Sequence, residues 1–191
     1  MAKLLSAAET PESWASGGQA IEISVEISAF PKLEEALVQE LERVDPAEHP
    51  ANWQHTAVNG RVSFGFADAQ SSDVIVTVEL TTEVPLVCQR CLEAFRESLD
   101  VDTSLHLVKD SGSPGRDDYE AWELDEDLVR PIDLVDELMV MALPFAAMHD
   151  NGECSAGVPD DTPAAEDTTR PFADLKALME AASKPDEPAK D

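Results

Sequence analysis

The chain has 191 residues, which is enough for one domain with an additional arm but too few for two large domains. It contains 40 acidic and 13 basic residues, so its formal net charge at pH 7 is −27. This negative charge repels phosphate groups and argues against sequence-independent binding to naked nucleic acid or to anionic lipid. A basic protein, or a ribonucleoprotein already coated with protein, is a better match in charge.

The hydrophobic and cysteine patterns indicate a soluble, cytoplasmic protein without a membrane segment. Residues 1–11 hold one short apolar pair and lack the apolar core of a signal peptide. The longest apolar run, residues 138–148, contains Pro144 and has about half of the ~20 residues that span a bilayer. Three cysteines cannot all pair within one chain, so we expect reduced or metal-bound thiols.

Residues 1–20 carry Ser, Gly, Ala and Pro without a sustained period, and they predict a flexible lead-in. From residue 21 apolar side chains alternate with polar ones, which is the pattern of a strand with one buried face. We expect an antiparallel sheet, either open or curled toward a barrel. Its four predicted strands are 21–28, 58–67, 74–87 and 95–108.

Two segments have the three- and four-residue apolar spacing of helices. The first, 33–44, has an acidic outer face, and the second, 132–143, is apolar on nearly all sides. Both helices should pack on the sheet, and residues 119–124 predict a short further strand. Together these elements predict a single α+β domain over residues 21–150 with a CxxC turn between its last two long strands.

An acidic arm is predicted over residues 151–191. Residues 151–169 are rich in Asp, Glu, Pro, Ala and Thr and poor in large apolar side chains, which is typical of a solvated, partly disordered linker. The arm ends in a short predicted helix, whose apolar stripe includes Phe172 and Leu175.

A cysteine pair forms the strongest chemical motif in the chain. Cys88 and Cys91 stand three residues apart at the end of the third predicted strand, a spacing that lets both sulfurs face one point. His149 and Cys154 follow the second predicted helix and complete a candidate set of four zinc ligands. Four protein ligands would leave no open position, so this zinc would be structural. Two alternatives stay open: a redox-active CxxC dithiol, and reduced cysteines that only pack.

No other part of the sequence requires an active site. His49, His55 and His106 are isolated and predict surface or turn positions. The sequence has no H-E-x-x-H motif, no grouping of Ser, His and Asp, and no phosphate-binding glycine loop. We therefore expect a protein that is not an enzyme.

Residues 84–93, VPLVCQRCLE, resemble the signature of the YceD family of large ribosomal RNA subunit accumulation proteins. The resemblance covers about residues 21–178 and implies a bacterial cytoplasmic factor needed for synthesis, processing or stability of large-subunit ribosomal RNA, without an established enzymatic activity. Arg170 departs from the family, whose members often carry Asn or Asp at this position. Three further segments are similar to the family: DLVDELMVMALP at 133–144, MHD at 148–150 with Cys154, and RPFADLKAL at 170–178.

This resemblance and the charge together predict a ribosome-biogenesis accessory factor. Its expected partner is a basic ribosomal protein or a precursor large ribosomal subunit, contacted through Arg90, Arg96, Phe172 and Leu175. Direct binding of naked RNA is the weaker hypothesis, because it needs the scarce arginines gathered beside an exposed aromatic ring. A CxxC thiol oxidoreductase and an acidic mimic of nucleic acid are the alternatives from other functional classes.

Overall fold

The structure is a computed structural model that describes residues 2–18, 20–70, 72–109, 116, 118–149 and 154. The chain divides into two units, Met1–Ala156 and Gly157–Asp191, and the second unit lies outside the described residues. Apart from Cys154, the predicted acidic arm with Phe172 and Leu175 therefore lies outside them as well.

Five strands form one sheet in the order β1-β2-β3-β4-β5. Strands β1 to β4 pair antiparallel in chain order, whereas β5 pairs parallel with β4. The four longer strands confirm the alternating patterns, because their apolar side chains pack into one face of the sheet. The bounds are Ala20–Glu26 for β1, Ala57–Phe66 for β2, Val74–Val87 for β3, Ala94–Val108 for β4 and Glu120–Glu123 for β5.

The sheet is open, so the alternative of a sheet curled into a barrel is wrong. Within the described residues β1 pairs only with β2, and β5 pairs only with β4. A barrel requires its two edge strands to pair with each other. Here a layer of helices buries the apolar face instead, so the sheet forms a core without closing on itself.

Helices cover the apolar face of the sheet and share one core with it. The helices at Pro31–Leu41 (α3) and Pro131–Ala142 (α4) confirm the two predicted helices. However, α3 ends at Leu41, and the predicted last turn around Val44 is not helical. Met141 is exposed on α4, so this helix is buried on one side and not all round. The bounds are Ala2–Leu5 for α1, Pro11–Gly17 for α2, Pro31–Leu41 for α3 and Pro131–Ala142 for α4.

The amino-terminal segment is folded, which differs from the flexible lead-in expected over residues 1–20. The Oγ1 atom of Thr10 accepts a hydrogen bond from the Ser13 N–H at 3.2 Å and caps α2. Trp14 is buried, its ring stacks on Phe64 with centroids 5.6 Å apart, and its indole N–H donates to the Val129 carbonyl at 3.1 Å. The large side chain of Trp14 therefore anchors this segment, although its short helices lack the apolar periodicity from which a helix is predicted.

A buried carboxylate connects the two main helices. Asp136 of α4 is 3 % exposed, and its oxygens accept hydrogen bonds from the backbone N–H groups of Lys32 and Leu33 at 2.9 and 2.8 Å. Phe30, at the start of α3, provides no side-chain cap. Asp136 therefore caps α3 from a distant part of the chain.

No helix within the described part of the chain is both long enough and apolar enough to cross a bilayer.

Candidate metal centre

A tight turn joins β3 to β4 and positions both cysteines of the CxxC motif. Cys88 directly follows β3, its N–H donates to the Glu93 carbonyl at 3.0 Å, and its own carbonyl accepts from the Leu92 N–H at 2.9 Å. We call residues 88–93 the knuckle. These backbone bonds turn the chain within six residues, so Cys88 and Cys91 lie on the same side of the turn.

The segment after α4 brings the histidine to the knuckle. Residues 143–149 follow the helix, and the Ala147 carbonyl accepts a hydrogen bond from the Gln89 N–H at 2.9 Å. The His149 ring contacts the Phe95 ring, with centroids 4.5 Å apart. A backbone hydrogen bond and an aromatic contact thus hold His149 beside the knuckle, although Cys91 and His149 are 58 residues apart in the chain.

The structure brings all four predicted ligands together. Cys88, Cys91, His149 and Cys154 each offer one donor atom, and these four atoms lie within 4.8 Å of one another. The Cys88 and Cys154 sulfurs are 3.9 Å apart, and the Cys91 sulfur is 3.4 Å from Nδ1 of His149. Cys88 is fully buried, and the other three are half-buried. This Cys3His cluster could bind a metal ion.

The environment separates the acidities of the two knuckle thiols. Burial by itself would raise the pKa of Cys88, but backbone N–H groups of Cys91, His149 and Arg90 hydrogen-bond to its sulfur and lower that pKa to about 5. Burial, together with the neighbouring sulfurs of Cys154 and Cys88, outweighs the hydrogen bond from the Glu93 N–H and raises the pKa of Cys91 to about 12. A cation between the sulfurs would favour all of them as thiolates.

Arg90 lies between the two cysteines and supplies the positive charge of the cluster. Its guanidinium hydrogen-bonds to Cys154 and donates to the His149 carbonyl at 3.4 Å, and the sulfur of Cys154 raises the pKa of Arg90. Three thiolates bound to a divalent cation leave one net negative charge, which one guanidinium balances. The sequence predicted Arg90 as a contact for a partner. Its role in balancing the charge of the cluster became visible only in the structure, which places Cys154 beside it.

Three other basic side chains lie in separate settings. Arg96 donates to the Ala51 carbonyl at 2.9 Å, Arg61 pairs with Glu79 at 2.8 Å, and Lys109 pairs with Glu12 at 3.3 Å. Each therefore has its own local partner within the described residues, as an acidic surface favours.

Two histidines have environments that the sequence did not distinguish. His55 is exposed and pairs with Glu26 at 2.8 Å, as expected for a surface histidine. His106 is buried on β4, 3.9 Å from Asp73, so its predicted surface or turn position is wrong. His106 lies opposite Ile75 in the sheet, which explains its burial. The sequence did not indicate this position, because strand pairing is not visible in the local spacing of residues.

A comparison with protein families finds one match that includes the whole cluster. The profile described as "Large ribosomal RNA subunit accumulation protein YceD" matches residues 76–179, which is more than half of the chain. No curated protein and no solved structure shows a significant match to the chain.

Proposed function

Because the chain belongs to the YceD family of large ribosomal RNA subunit accumulation proteins, we propose that it supports the accumulation of large-subunit ribosomal RNA as a non-enzymatic accessory factor. The family match over residues 76–179 is the observation that carries this proposal. The factor acts on synthesis, processing or stability of that RNA through contacts with other proteins.

The charge supports a protein partner over naked RNA. A net charge of −27 repels the phosphate backbone and attracts basic ribosomal proteins, free or in precursor large subunits. Arg61, Arg96 and Lys109 each have a local partner, so they do not supply the basic surface that RNA binding needs. The factor would hold a basic protein until ribosomal RNA competes for it.

The Cys3His cluster supports a structural zinc ion. Zinc prefers sulfur and imidazole ligands in tetrahedral sites, and four protein ligands leave no position for a reactive water. The zinc would connect the knuckle to the segment after α4. A low thiol pKa is also a property of redox-active cysteines, but those are accessible, whereas Cys88 is fully buried.

Metal content and melting temperature test the zinc site together. Protein purified without chelator should contain about one zinc per chain, as a four-ligand site requires. Cys88→Ser should lose the metal and melt at a lower temperature, because metal binding contributes to folding. The matched control is His55→Ala, since His55 is exposed and outside the cluster; it should keep both. Zinc-free wild-type protein, or Cys88→Ser with full zinc content, would refute the site.

The function is tested in cells that lack the gene for this chain. We expect the ratio of large-subunit to small-subunit ribosomal RNA to fall, and the wild-type gene to restore it. Affinity purification at low salt, with the protein and RNA of the eluate identified, should recover precursor large subunits or their proteins. An unchanged RNA ratio in the deletion strain contradicts the proposal.

A further inference from the structure

Leu92 has a backbone conformation that its side chain disfavours. Its φ is 63°, in the left-handed region where glycine is the residue without strain. The other described non-glycine residue with positive φ is Asn52, a residue type that tolerates this conformation. The Leu92 side chain is 65 % exposed, so burial in the fold does not compensate the strain. An exposed leucine at such a position indicates a role in contacting another molecule.

Two further large apolar side chains are exposed beside the knuckle. Phe145 is fully exposed and Met148 is 56 % exposed, and both lie on the segment that Ala147 fastens to Gln89. Met148 directly precedes His149, whose ring nitrogen is 3.4 Å from the sulfur of Cys91, and Leu92 directly follows Cys91. We call Leu92, Phe145 and Met148 the knuckle patch.

A groove continues the knuckle patch toward α3. It has a volume of about 450 Å³, and Phe145 lies in its lining together with Leu37, Leu86 and Ala147. These three are buried residues of the core edge, so the groove offers an apolar floor beside an exposed aromatic ring. Such a surface accepts an apolar side chain of a partner.

Charge decides which partner fits this surface. Two copies of the chain would each bring a net charge of −27, which opposes self-association through an apolar patch of three side chains. RNA and anionic membranes carry the same sign of charge. At the margin of the patch Glu93 follows Leu92, and in the lining of the groove Glu40 pairs with Arg43 at 3.2 Å, so the negative charge that favours a basic partner is that of the chain as a whole. A basic protein segment is thus the complementary occupant.

We propose that the knuckle patch is the docking surface for an apolar side chain within a basic segment of a large-subunit ribosomal protein. The proposal rests on the function proposed above and names the surface through which it acts. The Cys3His cluster joins the two halves of this surface, since Leu92 and Met148 are each adjacent to one of its residues. The net negative charge of the chain attracts the segment, and the patch anchors it.

The test measures binding of individually purified large-subunit ribosomal proteins to the full chain at about 0.15 M salt. At least one basic protein should bind the wild type. Leu92→Gly and Phe145→Ala should each weaken that binding by about tenfold or more, as expected for an anchoring side chain. Zinc content and melting temperature should not fall, because Leu92→Gly relieves strain and Phe145 is fully exposed. Leu128→Ala removes an exposed leucine outside the patch and is the matched control.

Other occupants are outcomes of the same measurement. Equal affinity of the wild type and both patch variants refutes the docking surface and leaves the proposed function standing. Binding of a naked ribosomal RNA transcript, or dimerisation that Phe145→Ala abolishes, overturns the assignment to a basic protein. If no large-subunit protein binds the wild type, the proposal is wrong, and the RNA ratio in the deletion strain then decides the proposed function by itself.

Discussion

Asp136 illustrates how a single buried side chain joins distant elements. It accepts hydrogen bonds from the first backbone N–H groups of α3, which no local side chain caps. The negative charge also lies at the positive end of the helix dipole. Its neighbour Asp133, in the same helix, is about half exposed and pairs with Arg130 at 2.6 Å.

We predict that Asp136→Ala lowers the free energy of unfolding by about 3 kcal/mol, because two backbone donors, one of them buried, lose a charged acceptor. Asp133→Ala should cost less than about 1 kcal/mol, as is usual for an exposed ion pair. Urea unfolding of both variants measures the difference. Equal costs for the two substitutions would mean that Asp136 does not cap α3.

Strand pairing depends on close backbone approach at one glycine. Gly60 of β2 has φ 150°, and a Cβ atom built there would lie 2.0 Å from the Glu79 carbonyl oxygen and 2.8 Å from Cα of Leu80. Gly60 pairs with Leu80 in the register of β2 and β3. The absence of a side chain is therefore what allows these two strands to pair at this point.

We predict that Gly60→Ala destabilises the fold by about 3 kcal/mol or more, since the backbone of β3 must move away. Gly65→Ala, in the same strand, is the control because no atom lies within 4 Å of its added Cβ. It should change stability by less than about 1 kcal/mol. Thermal melts of both variants test this, and a Gly60→Ala protein that melts with the wild type would contradict the described register.

In the described part of the chain, helices bury one face of the sheet, and the middle of the other face is polar and acidic. A cross-strand row on this second face contains Glu22, Arg61, Glu79 and Asp102, so three carboxylates share the row with one guanidinium. The side chain of Glu79 raises the pKa of Arg61. This single ion pair leaves an excess of negative charge on the face, in agreement with the net charge of −27.

We predict that salt stabilises the folded protein, because it screens the repulsion among its carboxylates. Raising sodium chloride from about 0.01 M to 0.15 M shortens the screening length from about 30 to 8 Å. A gain of about 1 kcal/mol would raise the melting temperature by roughly 2–4 °C for a domain of this size. Potassium chloride should act equally, since the effect is not ion-specific. A melting temperature that falls with either salt would show that attractive pairs dominate.

The elements and the ligand set were predictable from the sequence because their signals are local. The alternation of apolar and polar residues in the middle of β3 indicates that one face of the strand is buried there, whatever lies against it. The CxxC spacing likewise restricts Cys88 and Cys91 to one side of a turn, and His149 and Cys154 were chosen because they stand close together in sequence just after the second predicted helix.

Only the tertiary structure decided what depends on residues far apart in the chain. The open sheet and the parallel pairing of β5 depend on which edges meet, and the alternating pattern is identical for either choice. The capping role of Asp136 and the burial of Trp14 arise from partners 103 and 115 residues away, respectively. Periodicity shows which side of an element avoids water, and it carries no information about which other element covers that side.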